Sequence, residues 1–140
     1  MFDFLKKNEI KKDQDDLLLK TSSLLIHAAK IDENFTEKEK NIIKKTLIEL
    51  GANQDNVNNI MIRAENYEKE TNQILDFTRE IKNSNDEFKI KIVESLWKII
   101  YSDEKSDIYE SNLMRRLAGL LYIDNKTMGN IKEKIKKITK

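Results

Sequence analysis

Asp32 to Glu39 reads "DENFTEKE" and Asp103 to Glu110 reads "DEKSDIYE". Each segment opens with Asp-Glu and closes on a Glu seven residues after the first Asp. If the chain brought the two together, Asp32, Glu39, Asp103 and Glu110 would present carboxylate oxygens to one ion, with Glu33 and Glu104 nearby. A donor set made only of oxygen favours a hard divalent cation, Ca²⁺ or Mg²⁺, over Zn²⁺ or Cu²⁺. An EF-hand is excluded, because that loop needs Gly at its sixth position and Glu at its twelfth. Counted from Asp32 those positions hold Glu37 and Ile43, and counted from Asp103 they hold Ile108 and Met114.

The same residues have a second explanation. Thr36-x-x-Glu39 and Asp107-x-x-Glu110 each match a capping box before an apolar helical face. The cap residue would accept a backbone N–H three positions on, and the Glu would reach back to the cap's own N–H. Loss of such a cap costs about 1 kcal/mol, so stability alone would account for both Glu residues. Asp32 and Asp103 would then simply accept N–H bonds within their turns.

Other chemistries find little support. His27 is the single histidine and falls on the polar face of its helix, where a solvent-facing role is expected. Ser22 and Ser23 lie too close to it along one helix, with no placed acid, to form a catalytic triad. Trp97 and Tyr101 are expected in the core rather than stacked on a ligand. No glycine-rich phosphate loop occurs, and the absence of Cys excludes disulfides, thiolate metal sites and thiol nucleophiles. The terminal "KEKIKKITK" reads as a solvated helix face, with an anionic partner as the alternative.

The elements that must position the acidic segments are helical. With no Pro, three Gly and an abundance of Leu, Ile, Lys and Glu, the composition predicts an all-α chain. At 140 residues it is expected to form one domain over 1–140, with an N-terminal arm over 1–12. Apolar spacing predicts helices at about Gln14–Ile31, Glu37–Leu50, Gln54–Lys69, Glu87–Ser102 and Ile108–Ile123. A short helix carrying Ile74, Leu75, Phe77 and Ile81 is expected to be capped by Thr71 or Asn72. A last helix shows Ile131, Ile135 and Ile138 on a narrow stripe. In the first helix Leu17, Leu18, Thr21, Leu24, Leu25, Ala28 and Ile31 share one face, with Lys20, Ser23, His27 and Lys30 opposite. Gly51 stands where a left-handed helix cap is expected. The result is a compact bundle of about seven helices.

An internal echo links the two acidic segments. At an offset of 71 residues, Leu25 meets Leu96, Glu33 meets Glu104, Glu39 meets Glu110, Ile43 meets Met114 and Leu50 meets Leu121. The expected layout is a pseudo-twofold pair of helix–acidic loop–helix units; two units are too few for a solenoid.

Lys and Arg total 26 against 25 Asp and Glu, a net charge of +1, which predicts no global attraction to nucleic acid or anionic lipid. No apolar run approaches the ~20 residues of a membrane-spanning helix. The start "MFDFLKKNEIKKDQDD" lacks the apolar core of a secretory signal. It is expected to be an arm packed on the domain, with peripheral membrane association through Phe2, Phe4 and Leu5 as the alternative. The expected location is the cytoplasm.

The segment "IIYSDEKSDIYESNLMRRLAGLLYI", Ile99 to Ile123, resembles the tellurite-resistance TerB-like family, and "HAAKIDENFTEKEKNIIKKTLIELG" resembles the same pattern. Members typically read Ala-Asp-Gly, a short spacer, then acidic residues opening a helix that ends near Leu-Leu. The resemblance implies an all-α, pseudo-twofold bundle linked to tellurite, phage or chemical stress. It also implies divalent-metal binding at acidic positions, which correspond here to Asp32, Glu39, Asp103 and Glu110. The family's Gly after Asp is Glu33 in one segment and Glu104 in the other. That removes easy access to positive φ and adds a carboxylate to each loop. The expectation is a non-enzymatic, stress-associated interaction or sensing module with a protein partner and no nucleic acid, in which a divalent cation sits between the acidic loops. The alternative is a metal-independent scaffold for a protein or the membrane surface. A carboxylate-based, metal-assisted hydrolase is set aside, because no substrate pocket is readable.

Overall fold

The computed structural model describes the backbone of residues 2–31, 35–71, 73–102 and 108–139, with side chains described except at 2–14, 108–111 and 139. These residues form seven helices: α1 (Phe2–Ala29), α2 (Glu37–Glu49), α3 (Val57–Glu70), α4 (Leu75–Ile81), α5 (Asp86–Tyr101), α6 (Ile108–Leu120) and α7 (Asn125–Thr139). No strand occurs among the described residues. The chain is an all-α bundle, as its composition predicts.

The largest departure from expectation is at the start. α1 begins at Phe2, twelve residues before the expected Gln14. The apolar face seen in the sequence begins only near Leu17, so periodicity places the boundary there. Nothing between Phe2 and Asp13 breaks a helix, and once a helix is nucleated each further residue adds a bond at little cost. α1 also buries more of its circumference than one face. Thr21, Ser22 and Ser23 are fully buried beside Leu24, Leu25 and Ile26, because α2, α3, α4 and α5 all pack on α1. Ser23, expected on the polar face, is therefore internal. Its Oγ lies 2.8 Å from Leu19 O and 3.2 Å from Ala64 O, which satisfies the hydroxyl at the α1–α3 contact.

Helix ends follow local rules in several places. Asn85 caps α5, its Oδ1 accepting from Phe88 N at 2.8 Å. Asp124 accepts from Thr127 N at 2.6 Å at the start of α7, and this hydrogen bonding from Thr127 holds its carboxyl below the usual aspartate value. α4 departs from expectation. Its N-cap is Ile74, without a side-chain cap bond, so neither Thr71 nor Asn72 fills that role; Asn72 itself lies outside the described residues. With seven residues and no such cap, α4 depends on the burial of Phe77, Thr78 and Ile81.

Gly51, at φ +119°, ends α2 as expected. Ala52 N donates to Leu47 O at 2.9 Å and Gly51 N to Ile48 O at 3.1 Å, the paired bonds of a Schellman cap. The same cap closes α6. Ile123 N donates to Ala118 O at 2.9 Å and Tyr122 N to Gly119 O at 3.3 Å. Here the left-handed position, φ 57°, is held by Tyr122, 71% exposed, at the same 71-residue offset from Gly51 that separates the acidic segments. A side chain in this conformation costs about 1–2 kcal/mol, offset in part by Lys82 Nζ standing 5.8 Å from the Tyr122 ring centre. Tyr122→Gly is expected to raise unfolding stability by about 0.5–1 kcal/mol in urea titration. A loss of stability would show that the ring contact outweighs the backbone strain.

Candidate functional site

At the joint between α1 and α2, Thr36 and Glu39 form the reciprocal cap that their spacing predicts. Glu39 N donates to Thr36 Oγ1 at 3.1 Å, while Glu39 Oε1 accepts from Thr36 N at 2.8 Å and from Thr36 Oγ1 at 3.0 Å. Glu39 is only 3% exposed. A carboxyl so far removed from water needs such partners for its polar atoms. Of the other predicted ligands, Asp32 and Asp103 lie outside the described residues. Glu110 is placed by its backbone alone, in the first turn of α6. Among the described residues, no three His, Asp or Glu side chains are grouped closely enough to hold a metal ion.

The packing of α2 on α5 decides how the start of one lies against the end of the other. Lys91 Nζ pairs with Glu49 Oε2 at 3.8 Å, joining the end of α2 to the first half of α5. One turn along, Thr46 Oγ1 and Ser95 Oγ meet at 2.8 Å in a buried hydrogen bond. Further on, Lys38 in the first turn of α2 and Tyr101 and Ser102 at the end of α5 line one cleft. The two helices therefore run antiparallel, so the start of α2 and the end of α5, each of which borders one acidic segment, lie at the same end.

That cleft has a volume of about 380 Å³. Ile42 and Tyr101 contribute apolar surface, Ile138 of α7 stands at its rim at 64% exposure, and Lys38, Lys45 and Lys98 surround it. Burial, reinforced by the Glu133 carboxylate, raises the Tyr101 phenol above its usual value, so it remains a neutral donor. Its ring stacks on Trp97 at 5.8 Å, and Lys132 Nζ lies 5.3 Å from the Trp97 ring. The sequence held one sign of this cleft: Lys38, Ile42, Lys45 and Glu49 fall on one stripe of α2. Read alone, such a stripe is a solvated face; α5 and α7 turn it into a wall.

His27 is not simply solvent-facing. Its Nδ1 lies 3.3 Å from Glu68 Oε1, its ring centre is 6.0 Å from that of Phe77, and Lys30 Nζ reaches Glu68 Oε2 at 3.2 Å. This group ties α1 to α3. A second polar group joins α1 to α4, where Lys20 Nζ meets Glu80 Oε1 at 3.3 Å. Burial works against the charge on Lys20, yet attraction to Glu80, Asp16 and Tyr67 outweighs it and its pKa lies above the usual lysine value. Glu80 is also raised, first by burial and then by the neighbouring Asp16 carboxylate, despite its lysine partner. The two directions agree once Asp16 is counted: a lysine between two carboxylates gains from both, while the carboxylates repel each other.

The profile of a family described as "Tellurite resistance protein TerB" matches residues 18–133. The chain belongs to the TerB family. The match runs from α1 into α7, so it takes in both acidic segments and the whole α2–α5 contact of this TerB domain. Comparison with curated proteins and with solved structures finds no match. No helix among the described residues is long and apolar enough to cross a membrane.

Proposed function

We propose that this TerB domain is a non-enzymatic binding module of a tellurite- or stress-response system. In this reading Ca²⁺ or Mg²⁺, held by Asp32, Glu39, Asp103 and Glu110, clips the α1–α2 joint to the α5–α6 joint. The observation that supports it is the convergence of the flanking helix ends on one cleft, from Lys38 on α2 to Tyr101 and Ser102 on α5. Carboxylates from two joints at one end of a bundle would repel each other until a cation neutralised them. The ion would then fix the spacing of the two helix pairs and the surface offered to a protein partner. The domain works in the cytoplasm in this reading, and its balanced charge of +1 supports no role on nucleic acid.

A second reading is favoured by the Thr36–Glu39 cap, which already uses a Glu39 oxygen twice. Here the acidic residues only start helices, and the domain is a metal-independent scaffold for a protein partner or the membrane surface. Glu39→Gln separates the two, because Gln also serves in a capping box. In EDTA the variant is expected to melt within about 0.5 kcal/mol of wild type. Titration calorimetry with Ca²⁺ and Mg²⁺ is expected to show heat and a raised melting temperature for wild type. Both should be lost in Glu39→Gln and in Asp32→Asn plus Asp103→Asn. A wild type with neither heat nor thermal shift at millimolar ion leaves the scaffold reading alone.

A further inference from the structure

One buried basic side chain has no part in the acidic joints or the helix caps. Lys89 is 6% exposed and is the only lysine or arginine buried among the described residues. It lies on the inward seam of α5, three and four residues before the fully buried Ile92 and Val93. At the 71-residue offset its counterpart is Leu18, also 6% exposed. An aliphatic side chain thus meets the packing need at this position, and the amine of Lys89 is an addition to it. A buried charge normally has a counter-charge or hydrogen bonds, because losing its water is costly. Among the described residues Lys89 meets no carboxylate within 4 Å and its Nζ donates no hydrogen bond. The buried side-chain atoms that lack a partner are Thr21 Oγ1, Ser22 Oγ and Trp97 Nε1. Lys89 Nζ is not one of them, so it is reachable from outside, through the cavity that Lys89 lines.

The other walls of that cavity define what fits it. It lies between the start of α5 and the turn from α6 to α7, with a volume of about 230 Å³. Ile90 and Ile123 are half-buried and apolar, Tyr122 adds its ring, and Asp86 and Asp124 are exposed carboxylates. A simple anion drawn to Lys89 is repelled by both Asp residues, and a simple cation is repelled by Lys89. A molecule carrying both charges meets all three. Neither Asp lies within 4 Å of Nζ, which leaves room for such a molecule between them. The volume is below the roughly 300 Å³ at which pockets for drug-sized ligands begin, so the ligand is small. The counterparts of Lys89, Tyr122 and Asp124 are Leu18, Gly51 and Asn53, so the matching place near Leu18 lacks this set of charges.

We propose that this cavity binds a free α-amino acid with an aliphatic side chain. Its carboxylate meets Lys89 Nζ, its ammonium group faces Asp86 and Asp124, and its side chain packs on Ile90 and Ile123. The site lies apart from the acidic joints and stands whether or not they hold a cation.

The test titrates the full chain, labelled with ¹⁵N and kept in EDTA, with L-leucine and two analogues. One is 4-methylpentanoate, which lacks the ammonium group, and the other is 3-methylbutylamine, which lacks the carboxylate. Amide shifts with leucine are expected to centre on Lys89, Ile90, Tyr122 and Ile123, and both analogues should bind at least about tenfold more weakly. Lys89→Met keeps an unbranched stem and is expected to melt no lower than wild type, yet to weaken leucine binding at least about tenfold. Lys98→Met, near the other end of α5, should change binding less than about twofold. Asp86→Asn plus Asp124→Asn leaves a residue able to cap α7 and is expected to weaken leucine while tightening 4-methylpentanoate. Four results would overturn the proposal: no shifts at millimolar leucine, equal affinity for 4-methylpentanoate, unchanged leucine binding in Lys89→Met, or a Lys89→Met that melts clearly below wild type. The second would mark a plain anion site, and the last would show that Nζ is satisfied within the fold.

Discussion

Phe77→Ala is expected to cost about 3–5 kcal/mol of unfolding free energy, the usual range for emptying a buried aromatic site. Phe77 is fully buried, with Tyr67 edge-on at 5.7 Å and the His27 ring at 6.0 Å. It is the largest side chain that α4 buries, and α4 has little else to hold it: seven residues and no side-chain cap at Ile74. An isolated helix of that length has no stability of its own. Removal of the ring should therefore loosen all of α4, along with the Lys20–Glu80 pair that crosses to α1. Against a total of about 5–15 kcal/mol for a domain, the loss is large enough to show in any urea titration. Amide exchange should rise across Leu75–Ile81 before it rises in α5. A cost below about 1 kcal/mol would mean that neighbouring side chains collapse into the space, and that α4 is held by something other than Phe77.

The second large effect concerns the tie between α2 and α5. Thr46 Oγ1 lies 2.8 Å from Ile42 O and 2.8 Å from Ser95 Oγ. A hydroxyl has one proton, so Thr46 cannot donate to both, and Ser95 is the donor between the two hydroxyls when Thr46 serves the carbonyl. Both residues are buried, at 6% and 2% exposure. Thr46→Val keeps the shape of the side chain but strands the Ser95 hydroxyl away from water, which costs about 1–3 kcal/mol. Ser95→Ala should cost less, about 1 kcal/mol, because Thr46 still donates to Ile42 O and no hydroxyl is stranded. Together they should cost clearly less than the sum of the singles, because no stranded hydroxyl remains. Strict additivity in a double-mutant cycle would show that the two groups do not depend on each other. The pair also bears on the cleft: it helps set the antiparallel register of α2 and α5 that brings Lys38 near Tyr101 and Ser102.

Residues that act on their near neighbours are legible in the sequence alone. Thr36 and Glu39 sit three apart and form the predicted box; Gly51 takes the predicted left-handed turn. Leu24, Leu25, Ile43, Leu47, Leu96 and Leu117, assigned to apolar faces by their spacing, are all fully buried. Departures cluster where a residue's surroundings come from distant parts of the chain. Spacing puts Ser23 on an outward polar face, yet Ala64, 41 positions away, offers its carbonyl to the hydroxyl. The same spacing leaves His27 in solvent, yet Glu68 and Phe77 meet it from α3 and α4. α1 extends back to Phe2 because a helix needs no apolar face to continue, only the absence of a breaker.

By itself the sequence determined the fold class, the number of helices, most of their ends and the membership of the TerB family. Those properties depend on backbone bonds and contacts within about four residues, which composition and spacing record directly. Only the tertiary structure decided that α2 lies antiparallel on α5, that the start of α2 and the end of α5 meet at one cleft, and that three lysines of two helices line it. Helix pairing is set by the fit of side chains from segments some 50 residues apart, and no local pattern states which faces will meet.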